Sequence, residues 1–300
     1  MELKKPLTYD EQVDRLISAH NLTINNRGQA IEILKQVNYY RLTAYGIGLK
    51  KKEDHEKYHD DISIEHLYKL YKFDSKFRNM LIHIIETIEI QLKTQISNYL
   101  ALKYGAEGYK DVANFISKKN KDGEEIHSVV IKSFEKECAR HSKYPFVKHH
   151  FEKYEGHFPI WAAVELFTFG NIGSLFDIMQ NEDRKAIACL YNTHPSHLNS
   201  WILSLIEVRN ICAHYGRLYN MPLKQPPFLY SEDKKYINPT RTKIFPVLLV
   251  IKRIMNNNLE WKTFVTELEA LVEQYADVLE LKFMDFPRNW AVVLTNEKSK

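Results

Sequence analysis

VRNICAH at 208–214, followed by YGRLYN at 215–220, gathers the side chains of this chain best suited to chemistry on a phosphate. Arg209, Asn210, His214 and Arg217 fall within nine residues. If one helix runs through them, Asn210, His214 and Arg217 share a face at i, i+4 and i+7, and Arg209 can swing to the same edge. A guanidinium clamps a phosphate through two parallel donors, and an imidazole moves protons near neutral pH. That combination is what cleavage of an RNA phosphodiester without a metal ion would need, because RNA carries its own 2′-hydroxyl nucleophile.

The spacing alone carries little weight. Arg-x4-His occurs at Arg15–His20, Arg78–His83 and Arg209–His214, and composition alone predicts about one such pair or fewer. Asn follows the Arg in two of the three, RNMLIH at 78–83 and RNICAH at 209–214. Arg78, Asn79 and His83 are therefore a candidate second site within one chain. The plainer reading is a solvated helix face on which Glu86, one turn beyond His83, pairs with it. Cys212, inside the main motif, reads as a small buried residue rather than a nucleophile.

The elements that must hold these groups are helices, and the fold class read from the pattern is all-α. Residues 9–20 and 28–37 form two short amphipathic helices with Val13, Leu16, Ile17, Ile31 and Leu34 inward. From Ser63 to Tyr104 neither Pro nor Gly occurs, and Leu70, Phe73, Phe77, Leu81, Ile84, Ile88, Leu92, Ile96 and Tyr99 mark one buried stripe on a single long helix. Residues 159–179 restart the pattern, with Pro159 at the start and Gly170–Gly173 as a break. On the RNICAH helix, Trp201, Leu205, Val208 and Cys212 form the anchoring stripe, and Met221-Pro222 is expected to end it. Two further helices are expected at 241–257 and 260–281, before the terminal FMDFPRNW. The organisation that follows is an N-terminal helical region, 1–62, packed on a larger helical domain, 63–300, or one continuous domain.

Residues 105–158 read as an irregular insertion. Arg140, Lys143, Lys148 and Lys153 alternate there with Tyr144, Phe146, Phe151 and Tyr154, a mixture suited to tracking phosphates and stacking bases. His141, His149, His150 and His157 lack a thiolate pair at zinc-finger spacing, so no metal and no cofactor are expected. The formal net charge of +4, from 42 basic and 38 acidic residues, is too mild for a tight non-specific nucleic-acid binder, so RNA contact should be local and DNA is not expected. Three scattered cysteines, an N-terminus without an apolar run and no membrane-length apolar stretch point to a cytoplasmic protein with no membrane partner.

Ordered blocks along the chain resemble the Abi-like family of bacterial abortive-infection proteins, of AbiD/AbiF type. They are KPLTYDEQVDRL at 5–16, NYYRLTAY at 38–45, LYKFDSKFR at 70–78, IETIEIQLKTQI at 85–96, PIWAAVELFTFG at 159–170, SWILSLIEVRNICAHYGRLYN at 200–220 and FMDFPRNW at 283–290. The resemblance implies a HEPN-like helical bundle, extended at both ends, and a metal-independent endoribonuclease with Arg209 and His214 as the catalytic pair and Asn210 as the polar residue that follows the Arg. It also implies a toxin in phage defence, held in check by a small noncoding RNA or other antitoxin. One motif supplies one imidazole where both an acid and a base are needed, so a symmetric homodimer with a composite site is expected. Arg217 is assigned to a flanking phosphate. The competing classes are a non-catalytic RNA-binding or sensor module and a protein-interaction module in phage defence.

Overall fold

Forty-one residues, Ile64–Tyr104, form one uninterrupted helix, about 60 Å long at 1.5 Å per residue. Ser63 caps its start by accepting from the His66 amide, and Gly105, at φ +82°, ends it in a conformation that favours glycine. The computed structural model describes residues 5–237, 242–256 and 258–296. Among these the helices are α1 (Tyr9–Ser18), α2 (Arg27–Gln36), α3 (Tyr39–Thr43), α4 (Ile64–Tyr104), α5 (Ile126–Arg140), α6 (Pro145–Tyr154) and α7 (Ile160–Ala163). They continue as α8 (Phe169–Ile178), α9 (Asn181–Cys189), α10 (Pro195–Ala213), α11 (Ser231–Lys234), α12 (Phe245–Ile254), α13 (Leu259–Gln274) and α14 (Trp290–Thr295). Among the described residues β pairing is confined to isolated bridges, so the fold is all-α. No helix among the described residues is long and apolar enough to cross a membrane.

α4 is the axis of the packing. Its predicted stripe is buried from Leu70 to Ile96, with only Tyr99 partly exposed. α3 and the 3₁₀ segment Ala44–Leu49 pack on its first half, α7, α8 and α9 on its second, and α10 and α13 alongside. The helix carrying the RNICAH motif is thus held between α4 and α8. Gly173 of α8 makes that approach possible: a Cβ there would stand 2.7 Å from Cδ1 of Ile206 and 3.1 Å from Cγ2 of Ile202. The two glycines expected to break the 159–179 segment lie inside α8, and the break falls earlier, between α7 and α8.

Other expectations also change. Ile17 is exposed rather than inward, because α1 faces α2 through Val13 and Leu16. The 105–158 segment is not an irregular insertion. It contains α5 and α6, which Pro145 starts as the first helical residue. Tyr109, Phe134 and Phe158 of this segment pack with Phe167, ring centroids 5.5 to 6.0 Å apart, and so join the segment to the common core. Its histidines are bound locally: Nδ1 of His150 donates to the Phe146 carbonyl at 2.8 Å and the ring stacks on Phe158, and His157 meets Glu107 at 2.8 Å.

Candidate functional site

α10 begins with Pro195 at its first turn and buries Leu198, Trp201, Leu205, Val208 and Cys212 along one side. It ends at Ala213, nine residues before Pro222, which was expected to stop it. His214 is the C-cap, Tyr215 adopts φ +57°, and Gly216 follows. The Tyr215 amide donates to the Cys212 carbonyl at 3.2 Å and the Gly216 amide to the Ile211 carbonyl at 2.7 Å. This is a Schellman closure with a tyrosine in the left-handed position where glycine is usual. Asn210, His214 and Arg217 therefore do not share one helical face, because the helix ends between the first and the last of them.

The closure fixes where the motif points. Arg209 and Asn210 are the last full turn of α10, and His214 stands exposed at its end with no hydrogen-bond or ionic partner for its ring among the described residues. The Arg209 side chain is 38 % exposed, and its Nε lies 3.6 Å from Oε2 of Glu89 on α4. Glu89 is nearly buried and also pairs with Lys93 at 3.2 Å, so a fixed carboxylate orients the guanidinium while leaving its outer edge in solvent. Nη1 of Arg209 lies 3.4 Å from Oδ1 of Asn210.

The chain after the motif is tied down from α4. Asp74, fully buried, accepts from the Tyr219 amide at 2.8 Å, the Leu218 amide at 3.2 Å and the Tyr45 hydroxyl at 2.8 Å, and pairs with Arg78. Burial raises the pKa of the Asp74 carboxyl, and the Arg78 cation, the Tyr45 hydroxyl and both amides oppose that rise. Arg217, half-buried beyond the turn, donates to the carbonyls of Tyr219 at 2.8 Å and Asn220 at 3.4 Å, so much of its donor capacity holds this loop. Burial lowers its pKa.

The candidate second site comes apart. Arg78 is 4 % exposed and committed to Asp74, whereas Asn79 and His83 are exposed. No ion pair joins His83 to Glu86 among the described residues. Cys212 is buried, and burial pushes its thiol up to about 12, which leaves it protonated and unreactive at neutral pH. Arg140 pairs with Glu137 at 2.9 Å and Lys148 with Glu152 at 3.5 Å, Lys153 lies over the Tyr154 ring, and Lys143 is exposed. No contact among the described residues joins these four to Arg209 or His214.

One residue near the site escaped the sequence reading. Arg41 of α3 donates to the Tyr215 carbonyl and so places a further cation on the turn that follows His214. The available signal was its place in NYYRLTAY, a short block whose function gave no hint of a partner 174 residues away. The pairing of Glu89 with Arg209, across 120 positions, likewise has no local signal in the sequence.

The class these features define is an all-helical protein that presents a polarised Arg and a free His at the capped end of a central helix. A family model for Abi-like proteins matches residues 32–220, which include α3, α4 and the whole of the motif, and the chain belongs to that family. Membership ties it to abortive-infection phage defence. The blocks at 5–16 and 283–290 lie outside the match. No curated protein and no solved structure matches the chain.

Proposed function

We propose that this protein is a metal-independent endoribonuclease of the HEPN type, akin to AbiD and AbiF, which acts as a toxin in abortive infection and is restrained by a small noncoding RNA. The observation that carries the reading is the pairing at the end of α10: a guanidinium aimed by Glu89 and, five residues on, an imidazole with no partner among the described residues. In the reaction the 2′-oxygen attacks the adjacent phosphorus, the bond to the 5′-oxygen breaks, and a 2′,3′-cyclic phosphate and a free 5′-hydroxyl result. One imidazole takes the 2′-hydroxyl proton and a second delivers a proton to the leaving oxygen, each contributing roughly 10²–10⁴ in rate. Arg209 neutralises charge on the non-bridging oxygens through its planar fork, and Asn210 orients the phosphate.

A single chain offers one such imidazole at this place, so the working unit is a homodimer with two Arg209/His214 pairs across a two-fold axis. The exposed side chains of Ile90 on α4 and Leu203 on α10, on the two helices that carry the site, favour this. Arg217 grips a flanking phosphate with the donors its loop leaves free, and Lys143, Lys148, Lys153 and Arg140 guide the strand at a distance.

The test is cleavage of RNA by the purified chain in EDTA, beside His214→Ala, with analysis of product ends. Cyclic-phosphate ends made without metal and absent in the variant are expected. RNA that binds and stays intact would replace the nuclease with a binding module.

A further inference from the structure

The first of the three Arg-x4-His pairs has no part in the site above, yet it has a definite setting. Arg15 of α1 and His20 just beyond it both line a cavity of about 960 Å³ between α1, α3 and the 50–58 loop. Lys5 and Lys50 add two cations to the wall, and Glu56 is the one carboxylate on it among the described residues. Glu56 faces His20 at 3.7 Å, and no carboxylate among the described residues lies within ion-pairing distance of Arg15. The Arg15 guanidinium lies beside the buried Tyr39 hydroxyl; burial raises the hydroxyl's pKa, and the contact with Arg15 opposes the rise. Tyr40, packed edge-on against Tyr39 with centroids 5.7 Å apart, exposes most of its ring.

A guanidinium with no carboxylate partner among the described residues, on a wall that also carries Lys5 and Lys50, suits an anion. The apolar and aromatic part of the wall suits a flat ring, and the volume is that of a small-molecule site. We propose that this cavity binds a nucleoside phosphate, with Arg15 and Lys50 on the phosphate and the exposed Tyr40 ring against the base. The ligand is a free nucleotide or one unit of an RNA strand. The cavity shares α3 with the Arg41–Tyr215 contact but contains neither Arg209 nor His214, so the proposal stands whether or not the protein cuts RNA.

The test is calorimetric titration of the full chain carrying His214→Ala, which keeps RNA whole, with adenosine 5′-monophosphate, uridine 5′-monophosphate, inorganic phosphate and a single-stranded RNA of ten nucleotides. Saturable binding of a monophosphate or the RNA is expected, weakened about tenfold or more by Arg15→Ala and by Tyr40→Ala, with unchanged melting temperatures. Binding of monophosphates identifies a free nucleotide. Binding of the RNA alone, with 4-thiouridine crosslinks to the Tyr39–Tyr40 peptide, identifies a strand. No saturation by any nucleotide, equal affinity for inorganic phosphate, or wild-type affinity in both variants would overturn the proposal.

Discussion

Arg-Asn-x-x-x-His stands at 78–83 in the middle of α4 and at 209–214 at the end of α10, and the two copies have different fates. Five residues of α-helix span 500°, so Arg and His start about 140° apart around the axis in both. In α4 the helix continues in both directions. Arg78 is turned into the core against Asp74 and Tyr45, and His83 is left in water on another side. In α10 the helix stops at the histidine. Arg209 lies at the α4–α10 seam, half in solvent, with Glu89 behind it. The difference teaches that the motif acquires chemical potential from a helix end and a half-exposed seam, and that the same letters inside a continuous helix become a structural ion pair.

Exchange of the two histidines should separate the copies most sharply. His214→Ala is expected to lower RNA cleavage by roughly 10²-fold or more, and His83→Ala to leave it unchanged. Equal losses in a single-turnover assay would make the second copy functional after all. The arginines should differ in the opposite sense. Arg78→Ala leaves Asp74 buried without its cation and should cost about 3–5 kcal/mol in denaturant unfolding. Arg209→Ala removes a longer, partly exposed pair and should cost less than about 1 kcal/mol while abolishing cleavage. Similar unfolding midpoints for the two variants would contradict the burial of Arg78.

The cysteine inside the 209–214 copy offers a pH test. Burial holds the Cys212 thiol protonated up to about 12, whereas Cys189 is exposed, so iodoacetamide at pH 8 should label Cys189 and spare Cys212 in the folded chain. Labelling of Cys212 below pH 9 would show that the end of α10 opens. The smallest expected effect is at the turn itself. Tyr215 holds a left-handed conformation that costs an L-residue about 1 kcal/mol, so Tyr215→Gly should raise stability by up to that amount in thermal unfolding. A loss of stability would mean that the exposed tyrosine ring contributes more than its backbone costs.

Much of the scaffold was legible because helical periodicity is a local property. The stripe from Leu70 to Ile96 and the anchoring face Trp201–Leu205–Val208–Cys212 lie where three- and four-residue steps put them. The reading failed where local and distant signals compete. Met221-Pro222 was the visible stop for α10, but the amides of Leu218 and Tyr219 bond to Asp74 some 145 residues away, and the chain must leave the helix to reach it. Residues 105–158 looked irregular because they join the core through single aromatics on separate short elements, which leave no periodic trace.

The all-helical class, the long axial helix, the family and the residues from which a site could be made follow from the order of amino acids, since each depends on spacing within a few turns or on the order of blocks. Which arginine is buried, where α10 ends, that Glu89 aims Arg209, and that Arg41 and Arg15 face the His214 turn and the N-terminal cavity emerge with the packed fold. Those outcomes rest on contacts between residues tens to hundreds of positions apart, and the free energy of burying or exposing a charge is settled by such neighbours rather than by its place in a string.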